Sequence, residues 1–125
     1  MRAVLALLAA LTFSAPAIAQ QHSHGEKGPN GGPMEDVAGV HAELVSSGKT
    51  ITINIFNEGM KPLPTKAYTG SVLVVSGSAR ETVTLAPSGE NALKGEAKNA
   101  VGTGATVTLM LKTDAGKSGQ ARFKK

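Results

Sequence analysis

The chain has 125 residues, enough for one domain, and no cysteine, so disulfides, thiolate ligands and a lipid-anchored thiol are excluded. Its net charge of +4 is spread along the sequence and aromatic residues make up only 3%. Along the sequence there is thus neither the run of cations nor the set of stacking rings expected of a nucleic-acid binder.

The first nineteen residues have the pattern of a secretory leader. Arg2 precedes an apolar run of about a dozen residues, Pro16 stops any helix, and Ala17-Ile18-Ala19 offers small residues at the two positions a signal peptidase inspects. The run is shorter than the roughly 20 residues a bilayer span requires. The expectation is a signal peptide over residues 1–19, cleaved after Ala19, and a mature chain in the periplasm with no membrane span. Loss of Arg2 leaves 12 basic and 9 acidic residues, a mildly basic soluble surface.

Residues 20–35 begin Gln20-Gln21-His22-Ser23-His24 and run on into Gly28-Pro29-Asn30-Gly31-Gly32-Pro33. Nothing alternates here, and Gly, Pro, Asn and Ser dominate, so a flexible arm is expected. From about Asp36 to the end, 36–125, the pattern changes to period two. Val40, Ala42 and Leu44 share one face of a strand, with His41, Glu43 and Val45 on the other. Ile51, Ile53 and Ile55 follow on one face of the next. A two-residue loop at Ser47-Gly48 would pair Leu44 with Ile51, Ala42 with Ile53 and Val40 with Ile55, placing His41 opposite Asn54.

Pro62 and Pro64 exclude a central strand between residues 58 and 64. Ser71 to Val75 is apolar on both faces, as a strand covered on both sides would be. Val83 and Leu85 are buried positions of the next strand, Pro87 to Asn91 turns the chain, and Leu93, Gly95 and Ala97 alternate with charged residues. Val107, Leu109 and Leu111 face one way, and Met110 between them reads as packing. A loop at Asp114-Ala115-Gly116 pairs Leu111 with Gly119, Leu109 with Ala121 and Val107 with Phe123. About seven short strands with regular turn signals predict an all-β fold, an immunoglobulin-like β-sandwich.

All three histidines, His22, His24 and His41, fall within one short early stretch. The other donor side chains nearby are Glu26, Met34, Glu35, Asp36 and Glu43. Imidazole, thioether and carboxylate are the ligands open to a cysteine-free site. Cleavage after Ala19 would make His22 the third residue. The Gln20 amine, two amide nitrogens and one imidazole would then form the square of nitrogens that Cu(II) and Ni(II) prefer. An N-terminal glutamine that cyclises loses its amine, and a cut one residue away destroys the spacing. His24 would add an axial contact or a separate site. Glu43, two residues from His41, is either an acceptor behind a ligand or a surface charge; Met34 is either a thioether ligand or a cap on the sandwich edge. Cu(II) is the first expectation, Ni(II) or Zn(II) the second. Because a ligating imidazole must be neutral, uptake should weaken below about pH 6.5.

No enzyme pattern is present. The chain lacks a Gly-x-Ser-x-Gly elbow and a His-Glu-x-x-His pair, and Gly28 to Gly32 lacks the Lys-Ser/Thr of a phosphate loop. The expectation is no catalytic residue and no organic cofactor.

The stretch His24-Gly25-Glu26-Lys27-Gly28-Pro29-Asn30-Gly31-Gly32-Pro33, then Val37 to Val45, and the closing Gly116 to Phe123, resemble small exported proteins associated with heavy-metal efflux systems. A related segment is sometimes fused to the periplasmic adaptor subunits of those pumps. The resemblance covers most of the mature chain, its motifs are of modest specificity, and His24 and His41 match the family's histidines. It implies a periplasmic β domain linked to metal homeostasis, with a metal ion and an adaptor or efflux-pump component as partners. This chain has a short histidine arm, unlike members with long ones, which argues against high-capacity buffering. Two readings stand: a periplasmic metal-binding or metal-delivery module, and a non-catalytic structural or interaction module with incidental histidines.

Overall fold

The structure is a computed structural model that describes residues 26–125. The expected signal peptide, His22 and His24 lie outside the described residues.

The fold is all-β. Eight strands are present among the described residues: β1 (Met34–Val37), β2 (Val40–Ser47), β3 (Thr50–Phe56), β4 (Thr69–Ser76), β5 (Ala79–Ser88), β6 (Ala92–Glu96), β7 (Thr106–Lys112) and β8 (Ser118–Lys124). They form one antiparallel sheet in the order β1-β2-β3-β6-β5-β4-β7-β8. Strand β5 joins its two halves, pairing with β4 from Ala79 to Leu85 and with β6 from Ala86 to Ser88. A strand that changes partner in this way turns a corner. The sheet curls until β1 lies against β8, where Gly119 sits beneath Val37 and Ala38.

Period-two alternation is what lets the curled sheet close on an apolar interior. Ala42 and Leu44 of β2 and Ile51, Ile53 and Ile55 of β3 turn inward. They meet Val72, Val83, Leu93, Leu109 and Phe123 from the other strands, all within one continuous core. Each fully buried aliphatic side chain contributes about 1.5–3 kcal/mol. No disulfide assists, and this core holds the domain together.

The hairpin of β7 and β8 has the expected register, with Val107 opposite Phe123, Leu109 opposite Ala121 and Leu111 opposite Gly119. The β2–β3 hairpin does not. Its loop is Gly48-Lys49, so Leu44 opposes Ile53, Ala42 opposes Ile55, and His41 opposes Phe56 in place of Asn54. Gly48 takes φ +58 at the first central position, as a tight II′ turn requires. A two-residue slip leaves every side chain on its own face, so the hydrophobic pattern cannot detect it.

Three further expectations are corrected. An additional strand, β1, starts at Met34 and folds onto β2 through the two-residue turn Ala38-Gly39, both residues at positive φ. Strand β4 is central but covered on one face only: Val72 and Val74 are buried, whereas Leu73 and Val75 are half-exposed. Met110 is not core packing; it points out of the sheet and is 37% exposed.

Candidate functional site

The outer face of β1, β2 and β3 gathers three of the sequence-predicted site residues. Antiparallel partners project to the same side, so two rows cross these strands. Met34, Glu43 and Asn54 form one; Asp36, His41 and Phe56 form the other. The positions that set these rows are the Ala38-Gly39 and Gly48-Lys49 turns.

Glu43 is fully buried, although the alternation of β2 points it away from the core. The segment preceding β1 covers it. Glu43 Oε2 accepts hydrogen bonds from the backbone N–H of Asn30 at 2.8 Å and of Gly32 at 3.0 Å, and Oε1 accepts one from the Asn30 side-chain amide at 2.8 Å. Three donors on one carboxylate replace the water that burial removed. The Gly28-Pro29-Asn30-Gly31-Gly32 segment is closed on itself by Gly28 N–H to the Gly32 carbonyl and Gly31 N–H to the Gly28 carbonyl. It is tied to the sheet by Met34 N–H to the Glu26 carbonyl and Leu44 N–H to the Pro33 carbonyl.

This close approach explains the glycines. A Cβ on Gly28 would collide with the Glu43 carboxylate and stand 2.6 Å from the Met34 sulfur, and one on Gly32 would overlap the Leu44 carbonyl oxygen. The part of the expected arm that is described, residues 26–35, is therefore a loop seated on Glu43 followed by the first residues of β1.

Met34 is buried outside the main core, against Gly28 and opposite Glu43. Its thioether fills the space beneath the loop. Both oxygens of Glu43 are occupied by loop donors. Both side chains are enclosed between the loop and the sheet.

His41 differs. Its Nδ1 bonds to Asp36 Oδ1 across the β1–β2 pair, and its side chain keeps 25% of its surface exposed. A carboxylate that accepts Nδ1–H leaves the lone pair on Nε2, the arrangement found behind metal-bound histidines. Among the described residues, no group of three or more His, Asp or Glu could hold a metal ion. His41 and Asp36 alone make at most one ligand and its orienting partner.

The sequence reading missed the Asp36 partnership and the Asn30 and Gly32 donors. The Val37-Ala38-Gly39-Val40 pattern was the available signal for the first, since a tight turn there sets residue 36 opposite 41. No pattern signals the second, because the loop contact depends on the chain folding back over β2. Comparison of the chain with protein-family models, curated proteins and solved structures finds no match.

Proposed function

We propose that this chain is a periplasmic metal-binding or metal-delivery module for Cu(II) or a similar late transition metal, and not an enzyme. The observation that carries the reading is His41 held through Nδ1 by Asp36 on an exposed sheet face; a neutral imidazole oriented in this way presents Nε2 to an ion. A single imidazole does not retain an ion, so the remaining ligands would come from His22 and His24, ahead of the loop seated on Glu43. With a free Gln20 amine, the His22 end would supply a square of nitrogens suited to Cu(II). Glu43 and Met34 serve this reading as the support under the loop, not as ligands. The resemblance to proteins of heavy-metal efflux systems supports an adaptor or pump component as the recipient.

The scaffold reading is immunoglobulin-like. Without β1, the order β2-β3-β6-β5 followed by β4-β7-β8 follows the A-B-E-D and C-F-G order of a constant-type domain. Continuity through β5 distinguishes this sheet from a fully split sandwich.

The test is Cu(II) titration by calorimetry of mature protein whose N-terminus has been verified by mass. Wild type should bind. Asp36→Asn should weaken binding roughly 10–100-fold, as loss of a ligand-orienting carboxylate does, and His41→Ala at least as much. Absence of Cu(II), Ni(II) and Zn(II) uptake, or uptake indifferent to replacing all three histidines, overturns the reading. The interaction module would then remain. The specific observation favouring that second reading is the cationic sheet face described next.

A further inference from the structure

The outer face of the other half of the sheet, β5-β4-β7-β8, is unlike the His41 face. Its side chains form rows set by the strand registers. Arg80, Val75, Thr106 and Lys124 make one row, and Thr82, Leu73, Thr108 and Arg122 the next. Thr84, Ser71, Met110 and Gln120 follow, and then Thr69, Lys112 and Ser118. Four cations stand on this face and no carboxylate does, although the chain has nine acidic residues. The acids nearest in sequence are placed elsewhere. Glu81 projects to the inner side of β5, where it accepts the Lys98 backbone N–H at 2.8 Å, and Asp114 belongs to the β7–β8 turn beyond the last row. None of Arg80, Lys112, Arg122 and Lys124 forms an ion pair among the described residues. At the centre of the cations lie Leu73 and Val75, half-buried, and Met110, one of two large apolar side chains that are exposed among the described residues. A shallow depression of about 540 Å³ opens beside Ser71, Met110, Lys112 and Gln120.

Segregation of charge on this scale creates a field that steers oppositely charged partners and discriminates among them. We propose that this face docks an acidic protein segment, one that sets an apolar side chain against Met110 and Leu73 and carboxylates against Lys112 and Arg122. Charge complementarity selects this occupant. A second copy packed face to face would bring the same four cations and no carboxylate, and like charges across an interface cost affinity. The face has no aromatic ring on which a nucleotide could stack. Four strands about 4.8 Å apart and seven residues at about 3.4 Å each span roughly 450 Å², about half of one side of a standard protein interface, so the contact is a transient one. The inference does not depend on metal binding, and its test contains no metal.

The experiment uses the mature chain and a glutamate–leucine copolymer as the acidic probe, followed by amide and methionine-methyl NMR. Vesicles of phosphatidylglycerol and an oligothymidylate are titrated in parallel. Shifts should centre on Leu73, Met110 and Arg122, with affinity falling steeply as salt rises. The double variant Lys112→Glu/Arg122→Glu should weaken copolymer binding about tenfold or more, and Lys112→Gln/Arg122→Gln by a smaller factor in the same direction. Lys49→Glu/Lys61→Glu, in loops away from the face, should change it less than threefold. Unchanged circular dichroism establishes that each variant is folded, and the glutamine pair decides the matter if the glutamate pair is not. Shifts spread evenly over all lysines, tighter binding to vesicles or oligothymidylate than to the copolymer, or equal losses from the face and loop variants would overturn the proposal.

Discussion

Removing the Glu43 carboxylate tests the account of the loop most directly. In Glu43→Ala, the N–H groups of Asn30 and Gly32 and the Asn30 side-chain amide all lose their acceptor. A hydrogen bond to a charged acceptor contributes about 1.5–3 kcal/mol, and a buried donor left unpaired costs a comparable amount. These contributions are not additive, because the loop can lift and hydrate its donors, so the expected loss is about 3–5 kcal/mol. A domain of this size has about 5–15 kcal/mol in total, so the change is severe. Glu43→Gln keeps the volume. Its single oxygen can still accept from the Asn30 and Gly32 backbones, and the Asn30 amide can turn its oxygen toward the new NH2 group. That variant loses only charge assistance, about 1–2 kcal/mol. The assay is urea unfolding at neutral pH followed by circular dichroism, with hydrogen exchange of the Gly32 amide as a local probe. Exchange at Gly32 should accelerate more in Glu43→Ala than in Glu43→Gln. A loss below about 1 kcal/mol in Glu43→Ala, or equal losses in the two variants, would refute the claim that these three hydrogen bonds hold the loop.

Two other outcomes follow from the same structure. Gly32→Ala should cost about 3 kcal/mol or more in urea unfolding, because its Cβ meets the Leu44 carbonyl oxygen and backbone cannot yield as a flexible side chain can. Burial, and after it the negative charge of Asp114, raises the Tyr68 phenol above its usual 10.0. The neutral form is favoured in the folded chain, so the associated stability is present below about pH 10 and is lost as pH rises through the folded value. Because this is the only tyrosine, tyrosinate absorbance reports it without interference; the folded chain should titrate at higher pH than the chain in urea.

The sequence by itself determined which residues face inward. Alternation on β3, β7 and β8 assigned the isoleucines, leucines and Phe123 to one side, because burying one face of a strand requires period two. It also determined the register of the last hairpin, where the Asp114-Ala115-Gly116 loop and the apolar pairs agree on a single alignment. The gathering of donor residues on β1 and β2 was legible only in part. His41 and Glu43 share a face as their spacing suggested, while the placing of Met34 beside Glu43 and the carboxylate partner of His41 had to await the Ala38-Gly39 turn.

Only the tertiary structure decided what lies over each outer face. Glu43 and Met110 both occupy outward positions on strands, and alternation treats them alike. One is sealed beneath the Gly28–Gly32 loop and the other is open, because burial on the far side of a strand depends on chain distant in sequence folding back over it. The β2–β3 register escaped for a related reason: a slip by two residues preserves every face, so only the geometry of the Gly48-Lys49 turn fixes which residue stands beside His41.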